Sequence, residues 1–145
     1  MARSDLELQA AAHHVAHEVR MLRRAWAQQS DPLAYTAWFV HCRNLIKFFD
    51  SKGQKDEIRV ADFITGVENE WQAGMAGVAR PLQHQTYWDA VDKLAAHLTW
   101  DRADPQWADL PPSAEITEYL LGLTGLLMRV LPVSRVGWFG GLAMP

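Results

Sequence analysis

From Leu8 to Trp26 the apolar residues Leu8, Ala12, Val15, Val19, Leu22 and Trp26 recur at alternating steps of four and three. At about 100° per residue these positions share an arc of roughly 80°, which a helix can bury along one side and a strand cannot. Ser4 and Glu7 precede the run with the spacing of a capping box, so the first helix starts there and ends near Gln29. Asp31-Pro32 supplies an N-cap followed by proline in the first turn. It opens a second helix striped by Tyr35, Trp38, Cys42, Leu45 and Phe49 and ending near Gly53. A third long helix follows Pro81 and runs to about Arg102, with Tyr87, Val91, Leu94 and Leu98 on its stripe and Asp104-Pro105 beyond its end. A fourth follows Pro111-Pro112-Ser113 and stops before Pro132.

This last helix is apolar almost all round from Tyr119 to Leu131, which predicts enclosure by neighbours on every side. Between Lys52 and Arg80 the glycines Gly66, Gly74 and Gly77 and many charges break the period, although Val60, Phe63, Ile64, Val67 and Trp71 allow a short helix. The expected architecture is all-α, a bundle of four main helices plus one or two short ones. It occupies 1–132 as a single domain, with 133–145 as a Gly/aromatic tail. That tail, with Gly137, Trp138, Phe139, Gly140 and Gly141, has neither helical nor strand period. It is either mobile or pinned by its aromatic rings, onto its own chain or a second subunit.

A chain of 145 residues with seven tryptophans can build one firm core, since each indole buries on the order of 200 Å². Its 14 basic and 17 acidic residues leave a net charge of -3, which disfavours general attraction to nucleic acid. One cysteine permits no intramolecular disulfide, and no apolar stretch is long enough for a signal peptide or a membrane span, so the expected setting is cytoplasmic.

Groups able to do chemistry meet the apolar stripes in two places, His41-Cys42-Arg43-Asn44 and His97-Leu98-Thr99-Trp100-Asp101-Arg102. His41 borders the second helix's stripe on the flank of Asn44, which stands at i+3 and is placed to bond the ring. His97 has Asp101 at i+4, the spacing of a histidine-carboxylate pair that serves either as a general base or as a helix C-terminal stabiliser. The candidate catalytic residues are therefore His41, His97 and Asp101, and the candidate binding residues Arg43, Asn44 and Arg102. If the two helices pack together, His41, Asn44, His97, Asp101 and Arg102 converge on one polar pocket. The competing interpretation makes the two histidines hydrogen-bonded packing residues and Arg43 a surface cation.

His13 and His17 lie about 140° and 180° from the first helix's stripe, beside Arg20 and Arg24, where neighbouring cations repel a metal ion. No metal or other cofactor is expected. Cys42 should be buried and inert, because adjacent helical side chains diverge and cannot form a thiol-imidazole pair with His41.

The segments His41-Cys42-Arg43-Asn44-Leu45-Ile46-Lys47-Phe48-Phe49 and His97-Leu98-Thr99-Trp100-Asp101-Arg102 resemble a pattern in small uncharacterised bacterial helical proteins, H-x-R-N-L-I-x-F-F and later H-L-T with an aromatic and a basic residue. The resemblance covers about twenty positions and implies a fold more than an activity. More remotely, Arg43-Asn44 on a bundle helix resembles the HEPN superfamily, whose ribonucleases place a histidine a few residues after arginine and a polar residue. Here Lys47, Phe48, Phe49 and Asp50 stand at those positions, and Arg80 and His84 bracket Pro81 at a shorter spacing. The first expectation is a non-catalytic intracellular interaction module that self-associates through its aromatic surface and Gly/Trp/Phe tail, or binds a protein partner. The alternatives are a HEPN-like protein directed to RNA or nucleotides and a metal-dependent hydrolase using the helix histidines.

Overall fold

The computed structural model describes residues 3–50, 57–96 and 110–142, the side chains of 92–96 excepted. It is all-helical. Among the described residues seven α-helices pack as a bundle, with no strand. Four are long: α1 (Asp5–Ala27), α2 (Pro32–Asp50), α5 (His84–Ala96) and α6 (Ala114–Val130). Three are short: α3 (Val60–Phe63), α4 (Glu68–Met75) and α7 (Val133–Val136), the last continuing into a 3-10 turn over Gly137–Phe139. None of these helices is long and apolar enough to cross a membrane.

The helix starts follow local chemistry. The Ser4 hydroxyl accepts from the Glu7 amide at 3.3 Å while the Glu7 carboxylate accepts from the Ser4 amide at 2.8 Å, so two donors otherwise orphaned at the start of α1 are satisfied. Asp31 accepts from the Leu33 amide at 2.7 Å and begins α2, and Ser113 accepts from the Ile116 amide at 3.3 Å to begin α6. Between α2 and α5 the expected single short helix divides in two. Gly66 takes the left-handed conformation, φ +92°, and its amide donates to the Glu68 carboxylate at 2.9 Å, so the chain turns at Gly66 and restarts as α4.

The linker of residues 28–31 forces α1 and α2 into an antiparallel hairpin. Their facing stripes close on each other: Leu8, Ala12, Val15, Val19 and Leu22 from α1 and Trp38, Cys42, Leu45 and Phe49 from α2 are all buried. α5 packs on α2, while α6 touches α1, α2 and α4, which accounts for its apolar circumference. Gly74 allows the close approach of α4 to α6: a Cβ there would lie 2.1 Å from Leu126 Cδ1 and 3.1 Å from its Cγ, so the leucine would have to shift. Residues 133–142, aperiodic in sequence, fold back on α1 and α3. Phe139 is fully buried against Phe63, Arg135 donates to the Phe63 and Thr65 carbonyls at 2.8 and 3.2 Å, and Arg20 donates to the Gly140 carbonyl at 2.9 Å.

Trp38 sits at the middle of the core with no exposure. Its ring meets Phe39 and Tyr87 edge-on, and its indole N–H donates to Thr117 Oγ1 at 2.9 Å, while the Thr117 hydroxyl donates to the Ser113 carbonyl at 2.8 Å. Tyr35 and Tyr87 donate their hydroxyls to the Leu110 and Pro111 carbonyls and fix the segment leading into α6. Truncation of Trp38 to Ala therefore removes both packing and a satisfied buried donor, and should lower unfolding free energy by about 3–5 kcal/mol. Trp38→Phe, which keeps most of the volume and leaves Thr117 without its donor, should cost about 1–3 kcal/mol. Urea unfolding of both variants checks the order and the size of the two losses.

Candidate functional site

The polar seam between α1 and α2 is built around Glu18, one helical step off the buried stripe of α1. Its Oε2 atom accepts from His41 Nδ1 at 2.7 Å and from Asn44 Nδ2 at 3.0 Å. His41 and Asn44 do stand on one flank of α2, as their spacing requires, but they do not bond each other. Both reach across to the same carboxylate oxygen, because the neighbouring helix offers an ionised acceptor and the local amide does not. The side chains of His41 and Glu18 are 13% and 22% exposed, so the pair is sheltered without being sealed. His17 closes one end with its ring edge-on to His41, the centroids 6.2 Å apart.

Burial pushes the Glu18 carboxyl pKa upward, but the hydrogen bonds from His41 and Asn44, helped by the charges of His41 and His17, outweigh it and hold the group below its ordinary value. A carboxylate bonded to one imidazole nitrogen orients the ring and leaves the second nitrogen for proton transfer, the arrangement of a general base. The same pairing is also a cross-link between two helices.

Of the other residues singled out by sequence, Arg43 is half-buried on α2. His97, Asp101 and Arg102 lie outside the described residues, as does the proposed convergence of His41 and His97. Cys42 is fully buried and burial pushes its thiol far above the usual range, so it behaves as a small apolar core residue. His13, His14 and His17 are exposed on α1. Among the described residues no group of three or more histidine, cysteine or carboxylate side chains is placed to hold a metal ion.

A second polar cluster joins α2, α5 and α6. Asp50, at the end of α2, accepts from Arg80 Nη2 through both carboxylate oxygens, at 3.3 and 3.1 Å. The buried His84 brings Nε2 to 3.6 Å from Asp50 Oδ2, and its ring meets Tyr119 edge-on with centroids 5.5 Å apart. Burial raises the Tyr119 hydroxyl above its ordinary pKa; Arg80 opposes that shift and Asp50 adds to it, which places the phenol within the field of both charges.

Reading the sequence alone passes over Glu18 and the meeting of Arg80 and His84 at Asp50. One signal was present: His84, Tyr87 and Val91 follow a helical step of three and four, so His84 falls on the buried stripe of α5 and needs a polar partner inside. No protein-family model, no curated protein and no solved structure matches the chain.

The lowered Glu18 pKa fixes the sign of an acid effect. A carboxyl with a folded-state pKa below its unfolded value adds stability that is complete above the ordinary glutamate pKa of about 4.3 and is lost as pH falls through the folded value. Glu18→Gln should therefore be less stable than wild type at neutral pH, and the gap should narrow as the pH drops below about 4. Urea midpoints measured across that range test it, and a gap that does not change with pH would refute the seam's electrostatic role.

Proposed function

We propose that the protein is a non-catalytic helical interaction module that assembles with a second copy of itself. The observation carrying this reading is an unburied leucine beside an apolar groove. Leu82, in the turn before α5, is 101% exposed. The next residue, Gln83, lines a groove of about 490 Å³ formed with Tyr87, Leu110, Pro111 and Pro112. Tyr35 and Tyr87 hold the Leu110 and Pro111 carbonyls, which ties this wall of the groove to α2 and α5.

A projecting leucine next to a receptive groove is self-complementary under a two-fold axis. Each copy seats its Leu82 in the groove of the other, and every contact occurs twice. Burying one leucine side chain yields about 1.5–3 kcal/mol, so two such contacts form the centre of a weak dimer that neighbouring apolar surface strengthens. Other large apolar side chains are also strongly exposed, Leu33 at 82% and Val133 at 91% among them. The seam around Glu18 fits the same reading, because its polar groups tie helices to one another and so present a stiff surface.

Light scattering at high protein concentration tests the proposal. The expected molar mass is twice the chain mass of 16.4 kDa. Leu82→Asp should return the protein to a monomer with an unchanged melting temperature, since the side chain makes no intramolecular packing. A wild-type monomer, or a dimer indifferent to Leu82→Asp, overturns the proposal.

A further inference from the structure

On the solvent side of α1, His13, His17, Arg20 and Arg24 repeat the alternating four-and-three spacing of the buried stripe, and all four are exposed. At about 100° per residue they share an arc of roughly 60° and form a line about 16 Å long. The net charge of -3 conceals this line, because the acids stand elsewhere. Between Leu8 and Ser30 the sole carboxylate is Glu18, which lies at least about 100° around the helix and is engaged by His41 and Asn44. Asp5 and Glu7, in the first turn, fall about 100° to either side of the line.

The last described turn of the chain borders the same line. Residues 137–139 pack on α1, Arg20 donates to the Gly140 carbonyl at 2.9 Å, and a Cβ placed on Gly140 would lie 3.9 Å from His13 Nδ1. From Tyr119 to Leu142 the sequence holds no aspartate or glutamate, so this segment brings no carboxylate to the cations. It brings instead Trp138, half-buried, with the Arg135 guanidinium 5.9 Å from its ring centroid. From α2, His41 meets the His17 ring edge-on, and His17 stands in the field of the Glu18 carboxylate that His41 holds.

We propose that this face binds single-stranded nucleic acid, with the phosphate backbone along the α1 line and a nucleotide at Trp138 and Arg135. Cations about one turn apart, roughly 5.4 Å, can each meet a separate phosphate. An aromatic ring beside a basic track suits a single strand, because every base offers a face for stacking. A lipid surface is the other extended polyanion, but a helix lying in a membrane interface inserts apolar side chains beside its cations, and none stands on the line between His13 and Arg24. Imidazoles on a solvated face gain charge as the pH falls through about 6.5, so the two histidines add their charges to the two fixed ones of the line only in acid. The binding does not rest on the Leu82 contact and stands whether or not the chain dimerises.

Fluorescence anisotropy of a labelled oligouridylate of about 12 nucleotides provides the test, with salt titrations at about pH 7.5 and about pH 5.5. With Arg20, Arg24 and Arg135 engaged, log affinity should fall against log salt with a slope of about -2 at the higher pH, steepening to about -3.5 when His13 and His17 add their charges. Arg24→Gln should weaken binding several-fold and flatten the slope by about 0.7, whereas Arg129→Gln, which removes the same charge from α6, should leave both unchanged. The double variant His13→Gln/His17→Gln should keep the affinity at the higher pH and lose the steepening in acid, with its melting temperature measured beside it. His13→Gln alone, which leaves the ring contact of His17 with His41 in place, should lose about half of that steepening. The proposal is overturned by absence of saturable binding at the lower pH, by equal losses for Arg24→Gln and Arg129→Gln, or by an acid steepening that survives the histidine changes. Capture by phosphatidylserine vesicles without binding of the oligonucleotide overturns it as well.

Discussion

An indole carried into an apolar core needs an acceptor for its N–H, and here only a hydroxyl on another helix supplies one. Trp38 and Thr117 are 79 positions apart, and the bond between them fixes the rotation of α6 against α2. Much of the remaining geometry depends on that setting. With Thr117 facing Trp38, Tyr119 turns toward His84 and Leu126 lies over Gly74. The start of α6 comes to the place where Tyr35 and Tyr87 can hold the carbonyls of the incoming segment. A slip of one residue along α6 would rotate each of these contacts by about 100° and lose them together.

Polar groups at the helix boundaries share one design: a carboxylate on one helix gathers donors from the next. Glu18 gathers His41 and Asn44, and Asp50 gathers Arg80 with His84 close by. Both carboxylates are largely sheltered, and each gains charge-assisted bonds from its partners. The two clusters differ in what they leave open. Around Glu18 the donors converge on one oxygen and bind two helices together, whereas Asp50 holds a guanidinium whose other face looks outward. The first is a fastener in form and the second a mount.

The helical stripes were legible because burial imposes its period directly on the amino-acid order. The caps at Ser4 and Asp31, the stripe from Leu8 to Leu22 and the apolar circumference of α6 all follow from it. His41 and Asn44 were legible as neighbours for the same reason. Their common partner was not, since Glu18 precedes His41 by 23 residues and only the relative rotation of α1 and α2 brings them together. The short helices α3 and α4 blurred into one apolar stretch because a single glycine with positive φ, Gly66, turns the chain without disturbing composition. Likewise, the spacing of Arg80 and His84 suggested nothing, as neither residue answers to the other; both answer to Asp50 on α2.

Phe139 and Arg135 carry a consequence for how the molecule is made. The carbonyl that Arg20 holds belongs to Gly140, 120 positions further on, and the ring that covers Phe63 is that of Phe139. During synthesis α1 and α2 can pair as soon as both have left the ribosome, but the face of α1 that meets this turn stays uncovered until the chain reaches Phe139, well beyond the end of α2 at Asp50. The nascent chain thus carries an unfinished flank until the ring of Phe139 reaches Phe63.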